Sequence, residues 1–136
     1  MSENKTNVNF SQINLKKVEF KRCENIENKE YKIELKDSIK IVNVNDKSFG
    51  VEYSRQTISS EPFMVHVCFD FIVYLDKTGI DFYSGDIDKI KKFAELRKAE
   101  VVNNLNLPSR ASLLIANIIN ELGTPFISSP NVINNK

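Results

Sequence analysis

His66, Cys68 and Asp70 stand at alternate positions of one run, so any strand that holds them presents them on one face. A thiol, an imidazole and a carboxylate are the parts of a covalent hydrolase: nucleophile, base and orienting group. The spacing argues against that use. Residues two apart lie about 6.6–6.8 Å apart along a strand, whereas a nucleophile and its base must come within ~3 Å. The chain has one histidine, and catalytic sets usually draw on different elements. Cys23 and Cys68 form no CxxC pair, and with a single His they lack the paired spacing of a zinc site. Gly50, Gly79, Gly85 and Gly123 are scattered and make no phosphate loop. Asp76, Asp81, Asp86 and Asp88 cluster in sequence without the spacing of a calcium-binding loop, and a turn and a helix start account for them. The residue pattern therefore predicts no catalytic set, no metal and no cofactor, and a protein that is not an enzyme.

The elements that carry these residues divide the chain in two. From Val8 to Leu75 the apolar period is two. Val8 and Phe10 share one parity, Ile13 and Leu15 the other, and Val18 and Phe20 resume the first, which predicts a strand over 8–22 with a bulge or bend near Gln12–Lys17. Residues 23–29 are polar and read as a loop. A second run, 30–45, carries Tyr31, Ile33, Leu35, Ile39 and Ile41, with Asp37-Ser38 marking a bulge. A third, 48–58, alternates Phe49, Val51 and Tyr53. The fourth has Phe63, Val65, Val67, Phe69, Phe71, Val73 and Leu75 in unbroken alternation, the signature of a half-buried antiparallel strand. Its other face mixes Met64, His66, Cys68, Asp70, Ile72 and Tyr74. Lys77-Thr78-Gly79 reads as a turn.

Beyond it the period becomes helical. Asp86 precedes Ile87, Ile90, Phe93 and Ala94, which predicts a helix over 86–102. Pro108 suits the first turn of a second helix, whose stripe of Ala111, Leu114, Ile115, Ile118, Ile119 and Leu122 is widened by Leu113 and Ala116. Gly123 and Pro125 close it. The fold class is α+β: a four-stranded antiparallel sheet with a long C-terminal helix, broken near Pro108, packed on one face. One domain covers 1–136, with flexible ends at 1–7 and 129–136.

The 136 residues include 19 basic and 18 acidic side chains, a net charge of +1. That balance argues against binding nucleic acid by phosphate neutralisation and against a polybasic membrane anchor. The first ten residues hold no apolar signal segment, and no apolar stretch approaches the ~20 residues a bilayer requires. A cytoplasmic protein with free thiols is expected. The chain has nine Phe and four Tyr, together with a helix apolar nearly all round. One small fold has few places to hide them, so further subunits or a polypeptide ligand are expected to cover the remainder.

Three local motifs carry a resemblance. Asn9-Phe10-Ser11-Gln12-Ile13 with Lys17-Val18-Glu19-Phe20 is similar to the opening strand of the SecB export chaperones and their SecB-like relatives. Asn104-Leu105-Asn106-Leu107-Pro108-Ser109-Arg110 resembles the segment that leads into that family's main helix. Gly123-Thr124-Pro125-Phe126 and Ser129-Pro130-Asn131 resemble the turns that end it. The resemblance spans 8 to about 133. It implies a SecB-like homotetramer, a dimer of dimers, that holds non-native polypeptide clients in apolar grooves without ATP and passes secretory precursors to the motor SecA. The groove is expected at Phe49, Val51, Phe63, Val65, Leu114, Ile118, Phe126 and Ile127. Two departures stand out. Lys17 and Lys21 occupy positions where the family's motor-docking surface carries carboxylates, and such a reversal repels a basic partner. The chain also ends six residues after Pro130, where the family continues into another helix. Some SecB-like relatives hold an aggregation-prone antitoxin, so the chain is expected to be a general holdase or a dedicated chaperone for one such partner.

Overall fold

The alternation from Phe63 to Leu75 is realised as a single long strand at the middle of an antiparallel sheet. The computed structural model describes residues 8–22, 34–57 and 63–120. Strands β1 (Val8–Phe10) and β2 (Asn14–Arg22) both pair with β5 (Phe63–Leu75). On the other side of β5 lies β4 (Ser48–Thr57), and β3 (Leu35–Val42) pairs with β4. The sheet thus has five strands in place of the expected four. The expected first strand is interrupted at 11–13, where the Ser11 hydroxyl accepts from the Ile72 amide at 2.7 Å and the Ser11 amide donates to the Ile72 carbonyl at 2.8 Å. A second irregularity follows between Leu15 and Lys17, where Lys16 is the extra residue. The second falls within Gln12–Lys17, where the parity change predicts a bend, and the first overlaps the start of that span. The bulge predicted at Asp37-Ser38 is absent: β3 runs in regular register from Leu35 opposite Thr57 to Val42 opposite Gly50. Asp37 keeps the parity of Leu35, Ile39 and Ile41 because a buried partner accepts it on the inner face.

Three helices follow. Asp76 caps α1 (Lys77–Tyr83), its carboxylate accepting from the Gly79 amide at 2.8 Å. This short helix replaces the turn expected at Lys77-Thr78-Gly79. Ser84 and Gly85 end it in the left-handed region, with φ of 48° and 78°. Asp86 then caps α2 (Ile87–Asn104). Asn106, at φ 56°, turns the chain into α3 (Leu107–Asn120). The helix predicted over 86–102 and the start predicted at Pro108 agree with α2 and α3 to within two residues. Residues 23–29, Gly123 and Pro125 lie outside the described residues.

All three helices cover one face of the sheet. The odd-numbered residues of β5 and β4 point toward them, and α3 lies over β5 and β4 while α2 lies over β4 and β3. The core joins Phe49, Val51, Val65, Val67, Phe69 and Phe71 of the sheet to Ile90, Phe93 and Val102 of α2 and Leu107, Ala111 and Ile115 of α3. Phe49 meets Phe93 edge-on at 6.4 Å between ring centres. Among the apolar residues runs one polar cluster. Arg55 of β4 is 1% exposed and is the largest fully buried side chain among the described residues. Its Nε donates to Asp37 Oδ1 at 2.6 Å and its Nη2 to Asp37 Oδ2 at 2.8 Å, while Nη1 donates to the Ser112 hydroxyl at 2.6 Å. The Tyr53 hydroxyl donates to Asp37 at 2.7 Å. Burial foremost, and then this bond, push the Tyr53 phenol far above its ordinary pKa, so it serves only as a neutral donor. The cluster ties β3 and β4 to the start of α3.

Candidate polypeptide-binding edge

Paired residues of an antiparallel ladder share a face. Val18 stands opposite Val67, Phe20 opposite Val65 and Leu15 opposite Phe69, so all three lie on the helix side of the sheet. Phe10, opposite Val73, joins them. Yet the helix layer packs chiefly on β5, β4 and β3 and stops short of this edge. Phe10, Leu15, Val18 and Phe20 consequently keep 39%, 49%, 45% and 43% of their surface in solvent. They form an apolar strip beside the helices, on the outermost strand of the sheet. Among the described residues no strand pairs with the outer edge of β2. Arg110 of α3 places its guanidinium over the Phe69 ring, 5.2 Å from the centroid, next to the strip.

The opposite face of the same edge is charged. Lys17 pairs with Glu19 at 2.7 Å, and that hydrogen bond holds the Glu19 carboxyl below its usual range. Lys16, thrown out by the bulge, reaches Glu52 of β4, and this contact raises its pKa. Lys21 lies opposite Met64. His66, Cys68 and Asp70 lie on this face at alternate positions of β5, opposite Glu19, Lys17 and Asn14. His66 Nδ1 is 3.9 Å from Glu19. Burial pushes the Cys68 thiol up, with Glu52 adding to the effect. Among the described residues no three His, Cys, Asp or Glu side chains group as a metal site. A recess of about 380 Å³ also opens on this face, lined in part by Ser11, Asn14, Gly50, Glu52 and Asp70.

Of the residues expected in a groove, Phe49, Val51 and Val65 are in the core at 1%, 0% and 0% exposure. The helices close over the inner face at just those rows, so these three present no surface to a ligand in this structure. Leu114 and Ile118 are part-buried on α3 and pack against the core. Phe63 opens β5 opposite Arg22. Phe126 and Ile127 lie outside the described residues. Phe10, Leu15, Val18 and Phe20 were not among the residues expected at the site. Their signal was present in the sequence: Val18 and Phe20 alternate like the core strands. Nothing in the sequence says that their strand is the one at the edge.

The architecture defines an α+β domain: an open antiparallel sheet with helices on one face. No described family matches the chain, and no curated protein is similar to it at a significant level. A solved protein of unknown function from Streptococcus agalactiae is similar at 11% identity, over 71% of this chain and 88% of that one, with a TM-score of 0.30. No described helix is long and apolar enough to cross a membrane.

Proposed function

We propose that the protein binds extended, non-native polypeptide along the β2 edge and acts as a holdase without ATP, as its resemblance to the SecB-like chaperones implies. The observation that carries this reading is a half-exposed apolar strip on a strand whose outer edge pairs with no other described strand. An added strand would satisfy its own amides on β2 while every second side chain covers Leu15, Val18 and Phe20. Burying a Val, Leu or Phe fully stabilises by roughly 1.5–3 kcal/mol. The exposed fractions of Phe10, Leu15, Val18 and Phe20 therefore offer about 3–5 kcal/mol in all. Ordering the guest opposes much of that, so the hold is weak and exchanges readily, which suits a chaperone that must release. A single dedicated partner, such as an antitoxin, is the second reading, and the small extent of the strip favours it.

The test is aggregation of a chemically unfolded client, followed by light scattering at stoichiometric ratio. The wild-type chain should suppress scattering, and Val18→Ser with Phe20→Ser should lose most of that suppression in a variant that circular dichroism shows still folded. A folded wild-type chain that leaves scattering untouched refutes the holdase. Suppression for one client among many unrelated ones selects the dedicated chaperone.

A further inference from the structure

Among the described residues β3 pairs with β4 and with no other strand, whereas β4 is held on both sides, by β3 and by β5. Sliding β3 by two residues along β4 keeps every side chain on its own face, because the pleat has period two. Apolar packing on the helix side resists such a slip only weakly. Ile39 faces Tyr53 and Ile41 faces Val51 in the observed register. A slip in one direction puts Ile39 against Val51, and a slip in the other puts Ile41 against Tyr53, so an isoleucine meets one of the same partners in either case. The buried polar residues are less tolerant. Arg55, 1% exposed, donates from Nε and Nη2 to the two carboxylate oxygens of Asp37, directly across the ladder, at 2.6 and 2.8 Å. We infer that the Arg55–Asp37 pair sets the register of β3 at the far end of the β3–β4 hairpin, selecting one alignment among those the apolar pattern allows.

Arg55 can act as the fixed reference because β3 is not what places it. It stands opposite Val67 in the β4–β5 ladder, and its Nη1 donates to the Ser112 hydroxyl of α3 at 2.6 Å. A two-residue slip of β3 brings Leu35 or Ile39 opposite that guanidinium. Asp37 then becomes a diagonal neighbour, about 7–8 Å away along the ladder, and the two-bond contact, which demands one geometry, is lost. A buried charge facing an aliphatic side chain is strongly disfavoured, so each slipped alignment is penalised where apolar packing alone would tolerate it. The near end of the hairpin carries marks of its own. Asn45 Oδ1 accepts from the amides of Lys47 and Ser48 at 2.9 Å in the turn, and Val42 lies so close over Gly50 that a methyl group there would meet its Cγ2 at 2.9 Å. Those marks do not govern the far end, since a bulge anywhere between would uncouple the two. Asp37-Ser38, where the sequence suggests such a bulge, is the place where Arg55 holds the ladder regular.

Two variants of the full chain, isotope-labelled for NMR, test this through main-chain nuclear Overhauser contacts between β3 and β4. In the wild type Lys36 should contact Gln56, its partner in the observed register, in a single set of signals. Leu35→Asp with Asp37→Leu moves the carboxylate two positions along the same face and leaves the composition unchanged. Lys36 should then contact Ser54, because β3 shifts to return the carboxylate to Arg55. Asp37→Leu with Arg55→Met removes the pair without stranding a charge. There Lys36 should give more than one set of contacts, the shifted alignments rising at least about tenfold over the wild type, while Lys40, nearer the turn, keeps its contact to Glu52. A transplanted carboxylate that leaves Lys36 on Gln56, or a neutral variant with one native set of contacts, overturns the inference and assigns the register to the turn. A pair that only stabilises would lower the urea midpoint in the neutral variant and leave the contacts of Lys36 unchanged, which is the same refutation. If circular dichroism shows one variant unfolded, the contacts in the other decide.

Discussion

Removing the Arg55 guanidinium should cost the fold more than any exposed substitution, and less than removing its carboxylate partner. Arg55→Met keeps the stem volume and deletes the hydrogen bonds to Asp37 and Ser112 and the longer one to the Pro108 carbonyl. Asp37 is left with Tyr53, and at 22% side-chain exposure it can also take up water. Breaking a buried pair costs about 3–5 kcal/mol, and this partial rehydration places Arg55→Met toward the low end, near ~3 kcal/mol. Asp37→Leu is worse placed. It takes the carboxylate from a guanidinium that is 1% exposed and leaves it neutral oxygens such as the Ser112 hydroxyl at 2.6 Å and the Pro108 carbonyl at 3.5 Å. Its expected cost is about 4–5 kcal/mol. With both changes present neither charge is stranded, so the double variant should lose well under the sum of the two, with a coupling of at least ~2 kcal/mol. Urea unfolding followed by circular dichroism, compared at constant slope, measures all three. Additive losses, or an Arg55→Met cost within ~0.5 kcal/mol of zero, would show that the cluster does not bind α3 to the sheet as described.

Two other substitutions probe the sheet. A methyl group at Gly50 would meet Val42 Cγ2 at 2.9 Å and the Val42 carbonyl oxygen at 3.1 Å. The side chain can rotate away but the ladder carbonyl cannot, so Gly50→Ala should lower the urea midpoint by the equivalent of about 1–3 kcal/mol; an unchanged midpoint would mean β3 and β4 separate easily there. The Cys68 thiol, raised above its ordinary 9.0 by burial and by Glu52, should alkylate slowly in a Cys23→Ser background. A raised pKa means less thiolate at any pH below it, so the rate should still be climbing above pH 9; a plateau near neutrality would contradict the assignment.

Much of the architecture was legible residue by residue. β5 coincides with the run from Phe63 to Leu75, because thirteen residues of strict alternation admit only one period. The bend in the first strand was legible from the parity of Ile13 and Leu15. Asp37 was misleading: a carboxylate among apolar residues of one parity reads as a bulge unless its cation is known, and Arg55 is eighteen positions away. Arg55 does keep the parity of Phe49, Val51 and Tyr53, which marks it as inward-facing once the strand is accepted. Lys77-Thr78-Gly79 reads as a turn because Gly is a poor helix former, whereas the cap from Asp76 and the packing of Tyr83 on Phe93 favour helix there.

By itself the sequence determined the period of each segment, and with it which side chains share a face, since alternation and helical spacing are local properties of the backbone. It also determined the charge of the first strand. Tertiary structure alone decided that this strand lies outermost among the described strands, that the helices shelter Phe49, Val51 and Val65, and that they leave Leu15, Val18 and Phe20 half-exposed. Those outcomes depend on which strands become neighbours across long stretches of chain and on how far a helix layer of fixed width can reach across the sheet.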